Sequence, residues 1–173
     1  MKVSILLAHA VFGIRRFQNR EIKKIAARTR GKKILEIGSG KKVDGKHYYS
    51  MKGVFDSSNE FVQSDINKEY GHQVIDITST KLRPEWDIIL CLNVLEHVFE
   101  YDKAIANLRG GLRKNGTLYV FVPGYYPLHD EPNDFWRFTE HSLRKIFSGF
   151  ETKIKAHGWR KYPFAYFLEA RLP

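Results

Sequence analysis

The chain is predicted to be an α/β protein built on a mostly parallel sheet, and three features of its sequence carry that expectation. Ile34, Leu35 and Ile37 form the short apolar run that a parallel strand buried on both faces requires. Gly38 and Gly40 follow at once, letting the backbone turn sharply and approach a ligand with no Cβ in the way. Further apolar runs recur at 60–65, 73–77, 86–92 and 117–122, separated by segments of helical or turn composition. In open α/β sheets ligands sit at the carboxyl ends of the strands, so the turn after Ile37 marks the first place to look for a site.

Composition bounds the partners. The 173 residues, 43% hydrophobic and 14% aromatic, suffice for one globular domain with a proper core. Within it, 1–30 reads as an N-terminal helical extension and 31–173 as the sheet-forming core. The net charge of +10, from 29 Lys and Arg against 19 Asp and Glu, favours an anionic partner: a phosphorylated small molecule, nucleic acid or an acidic membrane surface. Cys91 is the sole cysteine, which excludes an internal disulfide and suits a reducing, cytoplasmic setting. Residues 3–14 are apolar apart from Ser4 and His9 but too short for the roughly 20 residues of a membrane span. Lys2 and Ala8-His9-Ala10 imitate a signal peptide, yet the apolar run continues past that cut site into Val11, Phe12 and Ile14. A helix packed on the sheet edge is expected, with weak peripheral membrane contact as the alternative.

The elements follow in order. Residues 18–30 place Ile22, Ile25 and Ala26 at helical spacing among Arg and Lys, an amphipathic helix leading into Gly31 and the first strand. Residues 41–50 contain Gly45 and no clean period, so any helix there is short or irregular. The second strand, 60–65, ends on Asp65, whereas Val54-Phe55-Asp56 runs into Ser-Ser-Asn, a loop composition. The third strand is expected over 73–77, and 78–84 is too short for a full crossover helix. The fourth, 86–92, opens on Trp86-Asp87. A helix over 101–113 buries Ala104, Ile105 and Leu108, and Lys114-Asn115-Gly116 turns into the fifth strand, 117–122. A loop over 125–139, a helix over 140–147 and two last strands at 150–157 and 164–172 complete the chain. No internal repeat or low-complexity linker interrupts it.

Three motifs resemble those of one family. A dinucleotide fingerprint would need its third glycine at Val43; the Glu36-x-Gly38-x-Gly40 pattern instead resembles motif I of the class I S-adenosylmethionine (SAM) dependent methyltransferases, with Lys42 where that family often carries a further glycine. Trp86-Asp87, followed by Val94-Leu95-Glu96-His97-Val98, is similar to the strand-four motif of many small-molecule members. Pro127-Leu128-His129-x-x-Pro132-x-Asp134-Phe135-Trp136-Arg137-Phe138-Thr139 resembles a segment of methyltransferases associated with polysaccharide and glycan biosynthesis. The resemblance runs from about residue 32 to the end.

This resemblance implies a Rossmann-like three-layer sandwich whose seven-stranded, mostly parallel sheet has an antiparallel last strand, with SAM as the cofactor. Glu36, Gly38 and Gly40 are then expected at the cofactor, Asp65 with Ile66 at the ribose, Asp76 and Ile77 at the adenine, and Cys91 and Leu92 at the methionine end. Asp65 lies 29 residues after Glu36 and Asp56 lies 20 after it, so Asp56 is the alternative ribose ligand. The loop after strand five would lie over the methyl group and shape the acceptor pocket. There His129 offers a base near neutral pH, and Tyr125, Asp134, Trp136 and Arg137 are the expected acceptor contacts, Arg137 as a bidentate anion clamp. The competing arrangement has Phe135, Trp136 and Phe138 as core aromatics and Arg137 paired with Asp134. Glu96 and His97 are read as structural or as part of the pocket rim, and no metal is assigned.

The function expected is methyl transfer from SAM to an oxygen or nitrogen of a small-molecule or glycan-type, anionic acceptor. An RNA methyltransferase is the first alternative. Charge favours it, but strand four lacks the D/N-P-P-Y/F segment of amino-directed base methylation and the basic residues are not gathered with aromatics. A non-catalytic SAM-binding accessory protein is the second. The sequence gives no indication of oligomeric state.

Overall fold

The computed structural model describes residues 13–43, 46–47 and 49–173, so the helix expected over 3–14 lies, but for its last two residues, outside the described residues. Helix α1 (Ile14–Ala27) leads into β1 (Lys33–Ile37). A small antiparallel ladder, β2 (Lys42–Val43) with β3 (Lys46–His47), takes the place of a first crossover helix. Then come β4 (Glu60–Asp65), β5 (Gln73–Val74), β6 (Trp86–Leu92), α2 (Tyr101–Gly111), β7 (Leu112–Pro123), α3 (Glu140–Ile146), β8 (Glu151–Trp159) and β9 (Tyr162–Arg171). The seven-stranded sheet runs β5-β4-β1-β6-β7-β9-β8. Every described pairing in it is parallel except those of β9, which is antiparallel to β7 and β8.

The strands alternate between two cores. Ile34, Ile88, Leu90, Tyr119, Phe121 and Phe167 pack with Ile14, Phe17, Ile22 and Ile25 of α1. Leu35, Ile37, Ile89, Cys91, Leu118, Val120 and Leu168 pack with Ala104, Ile105 and Leu108 of α2 and Leu143 of α3. Helices therefore cover both faces, as the predicted three-layer sandwich requires. The Trp86-Asp87 pair ties the strands at their start. Trp86 is buried under the Lys33 ammonium, 4.8 Å from the ring centre, and Asp87 accepts from the Lys33 amide and pairs with Arg113 at the head of β7.

Some boundaries differ from the sequence expectation, each for a local reason. The helix expected over 18–30 begins at Ile14, because Ile14 and Phe17 extend its apolar stripe. The strand expected over 73–77 stops at Val74: Asp76 accepts from the Thr78 amide, the Thr78 hydroxyl and the Ser79 hydroxyl, and this side-chain turn displaces the ladder. The helix expected over 101–113 ends at Gly111, and the fifth strand begins early, with Leu112 paired to Trp86 before the ladder resumes at Thr117 and Ile88. Among the described residues no helix is long and apolar enough to cross a membrane.

Candidate functional site

From β1 the chain passes outward to β4 and β5, then returns to β6 on the other side, so the carboxyl ends of β1 and β6 form the switch point at which ligands collect. The turn after β1 requires its glycines. Gly38 and Gly40 have φ of 70° and 71°, and a Cβ would fall 2.6 Å from Val94 Cγ2 at the first and 2.6 Å from Tyr49 Cδ2 at the second. Glu36 is buried and binds inward, accepting from Ser39 Oγ, Ser50 Oγ and the Met51 amide. Burial pushes its pKa up and those donors oppose the shift. Glu36 thus fastens the turn to residues 50–51.

Asp65, at the carboxyl end of β4, accepts from the Gly40 amide at 2.9 Å and the Asn67 amide at 3.0 Å. A carboxylate with two such bonds keeps acceptor capacity for more. Asp56 precedes β4, at the opposite end of the strand, where it accepts from the Ser58 amide and pairs with Arg30 at 3.2 Å. Ile66 is exposed beside Asp65. The hydrogen bonds from Thr78 and Ser79 that engage the Asp76 carboxylate hold it below the usual carboxylate range. Ile77 and Cys91 are buried in the core beneath α2, and burial drives the Cys91 thiol far up. Cys91 is therefore not a wall of the site; Leu92, pointing the other way, is.

Above the switch point lies a cavity of about 630 Å³, within the size range of small-molecule sites. Gly38, Leu92 and Pro123 line it from the strand ends, Tyr49 and Tyr70 from the first crossovers, and Ile14, Arg15 and Gln18 from α1. Gln18 is held by Asn93, whose amide donates to its side-chain oxygen at 2.8 Å. Sequence reasoning missed this wall of α1; two residues 75 apart in the chain carry no local signal of their contact.

The far wall joins two of the singled-out motifs. Backbone amides of Phe135 and Trp136 donate to the Glu96 carbonyl, and the Trp136 indole donates to the Val98 carbonyl at 3.1 Å, so the loop after β7 is folded onto the segment after β6. Trp136 stacks on Phe99 and meets Tyr101 edge-on; it packs against the core. Tyr125 is exposed against Tyr162. Arg137 donates to both oxygens of Asp134, each at 2.6 Å, and to the carbonyls of Tyr126, Pro127 and Trp136. Five bonds match the five N–H groups of a guanidinium. Burial alone would raise the Asp134 pKa, but Arg137 and the His129 amide hold it at about 2.

His129 lines the cavity with Glu96, His97 and Asp130. Its Nδ1 lies 3.2 Å from the Pro127 carbonyl and 3.3 Å from Asp134. Burial lowers its pKa, with Asp134 opposing, so the ring is held neutral at neutral pH. The His97 ring meets it edge-on with centroids 4.9 Å apart, and His97 Nδ1 lies 2.6 Å from the Asn133 carbonyl. Glu96 is 0% exposed and neither of its carboxylate oxygens has a hydrogen-bond partner among the described residues. Burial, partly offset by its backbone and Arg137, pushes its carboxyl up to about 8. The sequence reading left Glu96 and His97 as structural or at the rim; both line the cavity.

No protein-family model matches the chain, and no curated protein matches it. Solved structures do. Phosphoethanolamine N-methyltransferase 2 of Haemonchus contortus, in complex with SAM, superposes with a TM-score of 0.67 at 13% identity over 90% of this chain and 52% of that one. Magnesium protoporphyrin IX methyltransferase of Synechocystis PCC 6803, with bound S-adenosylhomocysteine (SAH), gives 0.63 at 17% identity over 92% and 85%. The 1,6-didemethyltoxoflavin-N1-methyltransferase of Burkholderia thailandensis, with its acceptor and SAH, gives 0.61 at 16% over 99% and 88%. The chain spans about half the length of the first of these and 49% of two further structures. At such identities the likeness establishes the fold.

Proposed function

We propose that this chain is a SAM-dependent methyltransferase, with the cofactor seated at the β1–β6 switch point and the acceptor, a small anionic or glycan-type molecule, under the loop that carries His129. The observation that carries this is the coincidence of one cavity with both halves of the site: the glycine turn at one end and His129 at the other. The residues present fit the cofactor. The turn at Gly38 and Gly40 is packed too closely to admit a Cβ, Gly38 borders the cavity, and Asp65, which accepts from the Gly40 amide, retains lone pairs for ribose hydroxyls. Exposed Ile66 offers an apolar face to a flat ring. Asp76 is committed to its own turn, so at that position the backbone of 76–77 is what remains for an adenine. Glu36 acts through the turn it fastens, and Leu92 supplies apolar wall.

Bound SAM supplies an activated methyl group on a sulfonium that leaves as the neutral thioether of SAH. The protein's part is to hold the acceptor in line, which lowers the barrier through orientation, and to receive a proton if the acceptor is a hydroxyl. His129, neutral and facing the cavity, suits that role. Isothermal titration tests the assignment: SAM and SAH should each bind one to one with micromolar affinity. Asp65→Ala should weaken that binding at least tenfold, the loss of charge-assisted hydrogen bonds, whereas Asp56→Ala should leave it unchanged. A folded protein that takes up neither ligand would overturn the assignment.

A further inference from the structure

We propose that Glu96, His97 and His129 bind one divalent first-row transition-metal ion in the acceptor half of the cavity. One ring nitrogen of each histidine and one oxygen of Glu96 lie within 4.8 Å of one another. Ligands about 2.1 Å from a common ion stand roughly 3 to 3.5 Å apart, so modest side-chain rotations close the set around a cation.

Glu96 supplies the independent reason. It is wholly buried and neither oxygen has a partner among the described residues, an arrangement that costs stability unless a cation or donor meets it. The nearby guanidinium is not that donor, because Arg137 directs its N–H groups to Asp134 and to three carbonyls. No described ion pair involves Glu96 either. A cation arriving from solution completes what the chain leaves open.

The histidines are prepared as ligands. His97 Nδ1 meets the Asn133 carbonyl, and His129 Nδ1 meets the Pro127 carbonyl and the Asp134 carboxylate. These acceptors place the ring proton on Nδ1 and leave Nε2 as the lone-pair nitrogen. Arg137 Nη2 also lies 3.4 Å from His129 Nδ1, but two donors cannot bond each other, and the closer carbonyl and carboxylate decide the tautomer. Metal-bound imidazoles are characteristically oriented in this way by a carbonyl or carboxylate on the other nitrogen. The Arg137–Asp134 pair thereby aims a ligand.

Two imidazoles and one carboxylate favour zinc, manganese, iron(II) or cobalt over magnesium or calcium, which take oxygen ligands. Three protein ligands leave coordination positions open toward the cavity. On the methyltransferase reading above, an acceptor oxygen fills one of them, which fixes its position and makes its hydroxyl more acidic; His129 then serves as ligand. No spacing rule exposes the set in the sequence, since His129 lies 32 residues beyond His97.

The test uses the full chain, stripped with a chelator and titrated with Co²⁺ under visible absorption, with Zn²⁺ equilibrium dialysis for stoichiometry. One ion per chain is expected, with His97→Ala and His129→Ala each weakening it at least tenfold and exposed His141→Ala leaving it unchanged. Glu96→Gln keeps the shape and removes the carboxylate that a cation would bind. Its melting temperature in EDTA should equal or exceed that of the wild type, while the rise that Zn²⁺ gives the wild type should vanish. Absent stoichiometric Co²⁺ uptake, or uptake undiminished in both histidine variants, overturns the site. SAM titration in EDTA separates the two readings: SAM binding without Co²⁺ binding removes only the metal, and Co²⁺ binding without SAM binding removes only the methyl transfer.

Discussion

Arg137 is the residue on which the candidate acceptor side is built. Residue type alone made it an anion clamp or the partner of Asp134, and its donors engage Asp134 and three carbonyls of its own loop, the arrangement expected of the second. The Asp134 side chain, 1% exposed, has its charge met there. Arg137→Ala should therefore leave a buried carboxylate unpaired and cost about 3 kcal/mol, lowering the melting temperature by roughly 6–12 °C for a chain of this size. Arg137→Lys should recover little, because an ammonium cannot reproduce a planar fork of five donors. A raised acceptor KM with an unchanged melting temperature would return Arg137 to the role of clamp.

At the scale of elements, α1 works on both sides: its apolar stripe closes one core and its first turn walls the cavity. Glu21 ties it to the sheet edge by a bond to Lys155 of β8, and it pairs with Lys24 and Arg20 on the helix itself. Burial by itself would raise the Glu21 pKa, but these donors hold it at about 2 against an ordinary 4.5. A folded-state pKa depressed in this way stabilises fully above the unfolded value, and the gain disappears as pH falls from there through the folded value. The partners' ends are solvated, so Glu21→Gln should cost about 1–2 kcal/mol at neutral pH rather than the full shift. Urea unfolding should show that gap closing between about pH 5 and pH 2; a gap independent of pH would mean that Glu21 acts through packing. Elements such as β6 and α2 were legible in the sequence because one local period fixes each. The end of β5 was not, because Asp76 draws Thr78 and Ser79 into a turn that an apolar count ignores. Cys91 was misplaced by one step of strand alternation, with Leu92 facing the cavity and Cys91 the core. The cluster of Glu96, His97 and His129 needed two loops to meet, which no periodicity encodes.

For the whole molecule, part of the excess of ten positive charges is gathered on α1. Arg16, Arg20, Lys23 and Lys24 stand on the outward side of α1, and Arg15 of the same helix lines the cavity, its guanidinium 5.0 Å from the Tyr49 ring centre. A basic stripe ending at a cavity raises the local concentration of anions and speeds their arrival. SAM carries a net positive charge near neutral pH and gains nothing from that field, so on the proposed reading the field would serve the acceptor. The prediction separates the two ligands by sign. For a phosphorylated or otherwise anionic acceptor, kcat/KM should fall about tenfold as ionic strength rises from about 0.05 to 0.5 M, where the screening length shrinks to a few ångströms. SAM affinity, followed by titration over the same range, should hold steady or tighten. Arg15→Ala combined with Arg16→Ala should flatten the salt dependence while leaving SAM affinity unchanged. If instead kcat/KM for the best acceptor is flat in salt and indifferent to both arginines, the acceptor is neutral and the basic stripe faces another partner.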